Sequence, residues 1–232
     1  MISSRPGRRT MEAPPPRRLS IEDFRPQSLE EIVGQAPVIA RLRRILEGVR
    51  NGVVVPPHLL LHGPPGVGKT ATARAFAREL LGPNFEADFS ELRAYDDRSA
   101  AAVTRMIDLS RSPPKDGAPF RVMFVDEVEA LAPDAQLNLR PAMEKEGGWS
   151  AYILSCNDLT GLARALQSRC TLLELRPVDG PDMHRLVSLA LTKTPFRLEP
   201  SVVESIVERA AGIPREAIKL LLEEGGALPI SR

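Results

Sequence analysis

Gly63-Pro64-Pro65-Gly66-Val67-Gly68-Lys69-Thr70 is the stretch whose reading decides the fold. It carries the Walker A pattern in full, between an apolar run, His58–His62, and a segment of helical character, Lys69–Leu81. A strand, a glycine-rich loop and a helix in that order form a phosphate-binding loop. The glycines let successive backbone N–H groups turn inward around phosphate oxygens, and the helix N-terminus adds partial positive charge. Lys69 is expected to reach the β- and γ-phosphates, and the Thr70 hydroxyl to ligate magnesium. ATP and Mg²⁺ are therefore the expected substrate and cofactor.

Downstream, Val122-Met123-Phe124-Val125-Asp126-Glu127 is an apolar strand ending in two acids. Such a pair alone reads as a helix cap. At 57 positions after Lys69 it takes the Walker B form. Asp126 is expected to hold magnesium, mostly through its water shell. Glu127 is expected to orient and polarise the attacking water, which argues for hydrolysis rather than binding alone.

The remaining segments alternate between helical and strand-like. Apolar residues recur at helical spacing over Pro37–Val49, and a further helix is expected over Asp134–Lys145. Tyr152–Ser155 and Leu172–Leu175 read as strands. Alternating strands and helices predict a parallel sheet covered on both faces. After Pro177 the strand signal stops, and Pro181–Thr192, Ser201–Ala211 and Arg215–Glu224 read as three helices. The expected division is a tail over 1–19, an α/β nucleotide domain over 20–177 and a helical lid over 178–232.

The 232 residues carry 43% apolar and 26% charged side chains and a formal net charge of +1, which does not by itself announce a nucleic-acid binder. Residues 1–19 hold five arginines against Glu12, with three prolines in a row. That composition predicts either an arm too polar to order or a DNA-phosphate contact arm. Cys156 and Cys170 fit no zinc spacing and no disulfide framework, so they read as packing residues in a reducing, intracellular setting. No run approaches the roughly 18 to 20 apolar residues that span a bilayer, so no membrane association is expected.

Phe24-Arg25-Pro26, Ile32-Val33-Gly34-Gln35, the phosphate loop, Ile153-Leu154-Ser155-Cys156-Asn157 and Gln167-Ser168-Arg169-Cys170 occur in one order. Together they resemble clamp-loader AAA+ ATPases of the replication factor C small-subunit type, from about Glu22 to Glu224. Bacterial clamp-loader motors are a poorer match, since no cysteine lies between Thr70 and Asp126 to build their zinc cluster. The resemblance implies an α/β fold with a five-stranded parallel sheet, order 5-1-4-3-2, and a three-helix lid. It implies Asn157 as sensor 1 beside the γ-phosphate, Arg169 as an arginine finger for a neighbouring subunit's nucleotide, and Arg215 as sensor 2. Arg25 and Val33 match positions enclosing the adenine. The implied partners are other clamp-loader subunits, a sliding clamp and primer-template DNA, with Arg98 and the basic tail as candidate contacts. The implied location is cytoplasmic in a prokaryote and nuclear in a eukaryote.

Three features depart from the family pattern. Ala94-Tyr95-Asp96-Asp97-Arg98-Ser99 stands where the family reads Ala-Ser-Asp-Glu-Arg-Gly. Leu139-Arg140-Pro141-Ala142-Met143-Glu144, with Pro141 well inside an expected helix, replaces a family segment that has two consecutive arginines. Inside a helix a proline costs about 3 kcal/mol, so the helix is expected to kink or to restart there. The sequence ends at Arg232, before the position of the family's helical collar. Two functions follow: an ATP-driven clamp-loader subunit, or a nucleotide-gated adaptor without loading activity.

Overall fold

The computed structural model describes residues 19–115, 118–144 and 149–227. After two short 3₁₀ turns comes α1 (Ala36–Arg50), then β1 (Leu59–His62), α2 (Lys69–Leu81), α3 (Phe85–Asp88) and β2 (Phe89–Arg93). Next are α4 (Ala100–Ser110), β3 (Arg121–Asp126), α5 (Pro133–Met143), β4 (Ser150–Cys156), α6 (Arg164–Gln167) and β5 (Thr171–Glu174). The described chain closes with α7 (Gly180–Thr192), α8 (Pro200–Ala210) and α9 (Pro214–Ala227).

The strands form one parallel sheet in the order β2-β3-β4-β1-β5, which is the expected 5-1-4-3-2 read from the other edge. Its inner strands are continuous apolar runs because helices cover both faces. Leu59, Leu61, Phe124 and Ile153 pack under α1 and α2, with Phe76 and Leu42. Leu60, Met123, Tyr152 and Leu154 pack under α4 and α5, with Val103 and Leu139.

β2 has no counterpart in the sequence-based assignment. Phe89-Ser90-Glu91-Leu92-Arg93 pairs with β3 alone, at the sheet edge, and is only half-buried. Its polar residues match that position and mute the apolar signal. Glu91 pairs there with Arg74 at 2.5 Å and Arg93 at 3.0 Å. α4 likewise has no sequence-based counterpart. Ser99, which replaces a family glycine, caps it by accepting a hydrogen bond from Ala102 N at 3.1 Å.

Pro141 does not restart its helix. α5 runs through it, and Glu144 N still bonds Arg140 O at 3.1 Å. The proline falls in the last turn. It leaves the carbonyl of Leu137, an exposed residue, without its helical donor. The expected end of this helix, Lys145, lies outside the described residues.

α7, α8 and α9 enclose their own core of Met183, Val187, Ile206, Ala210, Ala217 and Leu221. Leu19 and Phe24, from before α1, pack against that core, so the chain is already part of the fold at Leu19. The rest of the expected tail, residues 1–18, lies outside the described residues. Among the described residues, no helix is long and apolar enough to cross a membrane.

His58 joins three elements at the start of β1. Its Nδ1 accepts Tyr152 N–H at 3.0 Å, which leaves Nε2–H to donate to Met143 O at 3.1 Å. Burial pushes its pKa below the ordinary 6.5, against the opposing Met143 hydrogen bond. Below pH 6.5 the unfolded chain takes up a proton that the folded chain refuses. Stability is therefore full above about pH 6.5 and falls as pH drops towards the lowered folded value. Urea unfolding at pH 7.5 and 5.5 should show this loss. His58→Phe should remove that share of it and cost about 1–3 kcal/mol at pH 7.5, since Tyr152 N–H loses its acceptor.

Candidate nucleotide-binding site

The loop between β1 and α2 lies beside the C-terminal ends of β3 and β4, where ligands of open parallel sheets bind. Two glycines make the loop possible. Gly63 has φ 144°, and a Cβ there would fall 2.0 Å from Leu175 O. Gly66 has φ 80°, and a Cβ there would fall 2.7 Å from Ile213 Cγ2 and 3.2 Å from Arg215 Cβ. The second contact joins the loop to the start of α9, where Arg215 N also donates to Gly66 O at 3.3 Å.

Lys69 opens α2 and is buried. Its Nζ donates to Gly63 O at 2.7 Å, Pro64 O at 2.9 Å and Asn157 Oδ1 at 2.8 Å. Burial lowers its pKa, and the carboxylates of Glu129, Asp126 and Glu127 oppose that, in descending order. Thr70 Oγ1 donates to Asp126 Oδ2 at 2.8 Å. The expected lysine, threonine, aspartate and asparagine thus come together from three elements.

A cavity of about 510 Å³ opens over this cluster. Pro65, Gly66, Val67, Gly68, Lys69 and Thr70 line it, with Asp126, Glu127 and Asn157 beyond them. Arg25 and Val33 line it as well, together with Leu186, Leu189 and Ile218 of the helical unit. Arg25 is paired with Glu22 at 2.7 Å. Arg215 also lines the cavity, and its guanidinium meets no carboxylate among the described residues. The cavity therefore brings together the phosphate-loop lysine, an acidic pair and apolar side chains of the helical unit.

Two sequence-picked arginines stand apart. Arg169 does not line the cavity; its guanidinium donates to Ala165 O at 2.6 Å and pairs with Glu144, which also pairs with Arg140 at 2.8 Å. Arg98 lies between β2 and α4, 5.0 Å from the centre of the Tyr95 ring.

Thr70 and Asp126 offer two hard oxygen groups at one point of the cavity, which suits magnesium. Among the described residues no group of three or more His, Cys, Asp or Glu could hold a metal ion unaided. The donor set fits an ion that shares its coordination with phosphates and water.

Sequence reasoning gave Ser155 no role of its own. Its buried hydroxyl accepts Glu127 N–H at 3.0 Å and donates to Asp126 Oδ1. Glu127 needs that support, because it sits in the left-handed region at φ 56°, ψ 49°, a conformation costing a non-glycine residue about 1–3 kcal/mol. A polar residue inside an apolar strand, level with the acids of the next strand, was the available signal.

Ser155→Ala should lower ATP turnover about tenfold while changing nucleotide affinity less than about threefold, because it loosens the two acids and spares the phosphate loop. Steady-state kinetics beside titration of a fluorescent ATP analogue would check this. Cys156 and Cys170 should react slowly with iodoacetamide at pH 8 until the chain unfolds. Burial, the first cause for both, pushes each thiol up to about 12. Mass spectrometry of the alkylated protein reads this directly.

The sequence matches the ATPase family associated with various cellular activities (AAA) over residues 59–178. It is similar to the replication factor C small subunit of Archaeoglobus fulgidus, at 39% identity over 202 residues, covering 87% of this chain and 62% of the relative. The small subunit of Methanothermobacter thermautotrophicus is 40% identical over 202 residues, with 87% and 61% covered. The chain thus spans about three fifths of the length of these relatives. Among solved structures, the Thermotoga maritima RuvB Holliday junction branch migration motor superposes with a TM-score of 0.73 at 26% identity, over 90% of this chain and 70% of that one. A variant of the same RuvB gives 0.74 at 25% identity, with the same coverage. Sheet order, phosphate loop and a family match over half the sequence converge on one assignment: this chain belongs to the AAA family of ATPases.

Proposed function

We propose that this chain is a magnesium-dependent ATPase subunit of a clamp-loader-type motor. It would act in DNA replication, with other AAA+ subunits, a sliding clamp and primer-template DNA as partners. The observation that carries this reading is the division of charge between two places. Lys69, Asp126, Glu127, Asn157 and Arg215 share one cavity, whereas Arg169 stands outside it. An arginine placed outside its own chain's site suits service to a neighbour's nucleotide. The similarity to replication factor C small subunits supports the choice of motor.

In this reading residues 20–177 bind the nucleotide and residues 178–232 form the lid, within an intracellular protein. The backbone N–H groups of Gly66 to Thr70 wrap the phosphates, and Lys69 turns to the β- and γ-oxygens. Thr70 and Asp126 would hold the magnesium ion, whose chemistry when bound is neutralisation of charge on those oxygens. Glu127, held by Ser155, polarises the attacking water. Asn157 and Arg215 contact the γ-phosphate, and Arg169 of an adjacent subunit stabilises the charge that develops in transfer. Arg25 and Val33 enclose the base. Arg98, exposed beside Tyr95, is a candidate DNA contact.

Lys69→Ala should weaken ATP binding at least tenfold. Glu127→Gln should retain binding and lower turnover by about 10²- to 10⁴-fold. Arg169→Ala should lower turnover by about 10³-fold or more, and mixing it with Glu127→Gln should restore part of the activity, since an intact Glu127 can then meet an intact Arg169. A phosphate-release assay run over a protein concentration series, with and without primed DNA and clamp, checks these outcomes. Turnover that is independent of concentration, survives Arg169→Ala and ignores DNA would favour the adaptor reading.

A further inference from the structure

Beside the cavity lies a carboxylate that the proposed chemistry leaves unused. Glu129 stands in the short turn after β3, and its Oε1 accepts the backbone N–H of Asn157 at 2.7 Å. Its Oε2 is buried and meets no donor among the described residues. The stem is confined too, since a Cβ on Gly161, in the turn after β4, would lie 3.4 Å from Glu129 Cβ. A buried carboxylate oxygen without a hydrogen bond is costly, so its retention calls for a reason.

The reason lies in what Asn157 has to do. The Lys69 ammonium has three N–H groups, and Gly63 O, Pro64 O and Asn157 Oδ1 take all three. An arriving phosphate oxygen must displace one of them. The Asn157 amide can leave by rotating about its terminal torsion, and the same rotation presents its NH₂ group to the phosphate. That exchange requires a fixed backbone at Asn157. The strand ladders do not supply it: the β3 pairing of β4 stops at Leu154 and the β1 pairing at Cys156. The hydrogen bond from Glu129 begins where the ladders end.

We infer that Glu129 is a positioning residue: it clamps the backbone of Asn157 so that only the amide swings between Lys69 and the γ-phosphate. The inference rests on the proposed role of Asn157 at that phosphate. It assigns Glu129 no contact with substrate: the acceptor oxygen holds Asn157, and the charge acts separately on the Lys69 ammonium.

Two near-isosteric neutral variants separate acceptor from charge. Glu129→Gln keeps an oxygen for Asn157 N–H, and Glu129→Met keeps the volume without an acceptor. Glu129→Met should lower kcat about tenfold relative to Glu129→Gln and match it in ATP-analogue affinity within about threefold. Glu129→Gln should keep kcat within about threefold of the unaltered chain, and its ATP-analogue affinity reads the loss of the charge beside Lys69. Adding Glu129→Met to Asn157→Ala should slow turnover no further than Asn157→Ala alone, because the two act as one unit. Unimpaired turnover in Glu129→Met, equal impairment in Glu129→Gln, or additive losses in the double variant would overturn the clamp. Should Asn157→Ala turn over at the unaltered rate, the γ-phosphate role of Asn157 fails and the clamp with it. Should Asn157→Ala be slow and Glu129→Met not, the clamp alone fails.

Discussion

A lysine ammonium can sit inside a protein only if its N–H groups find acceptors and its charge finds a counter-charge. Lys69 satisfies both conditions, through two loop carbonyls, the Asn157 amide and the acids at the end of β3. Much of the site is arranged around that requirement. The carbonyls are available because Gly63 takes a backbone conformation closed to other residues, with Leu175 O packed where a side chain would start. The asparagine is available because β4 lies next to β1, so their C-terminal ends emerge side by side.

The ends of β3 and β4 are braced by side chains once their ladder stops at Val125 and Leu154. Ser155 reaches Asp126 and the backbone of Glu127, and Glu129 reaches back to the backbone of Asn157. Hydrogen bonds of this kind, buried and mutually dependent, are worth more together than singly. They also explain how Glu127 tolerates a left-handed backbone. The strained residue directly follows β3 and the residue that restrains it lies on the neighbouring β4, so the geometry of the site is inherited from the pairing of those two strands.

The helical unit completes the cavity from the other side. Gly66 O accepts Arg215 N–H, while Leu186, Leu189 and Ile218 line the cavity. Gln35 ties the segment before α1 to the exit of β5: its side chain bonds Arg176 O at 2.7 Å and accepts Arg176 N–H at 3.3 Å. The cavity is thus bounded by the sheet, by the segment preceding α1 and by the helices after it, three parts distant in the chain.

The sequence alone determined the phosphate loop, the strand bearing Asp126 and Glu127, and the helices from α7 onwards. In each the signal is local: glycines at fixed offsets, an unbroken apolar run, or apolar residues at helical spacing. It did not yield β2, whose edge position leaves it polar, and it left open whether the helix α5 kinks at Pro141 or restarts there. Nor did it reveal that Ser155 and Glu129 serve the site, because a serine in a strand and a glutamate in a turn acquire meaning only from what faces them. Tertiary structure alone decided which acids surround Lys69, which strand ends meet, and that Arg169 lies outside the cavity. Those are distances between residues far apart in the chain, set by sheet order and packing, and no local pattern encodes them.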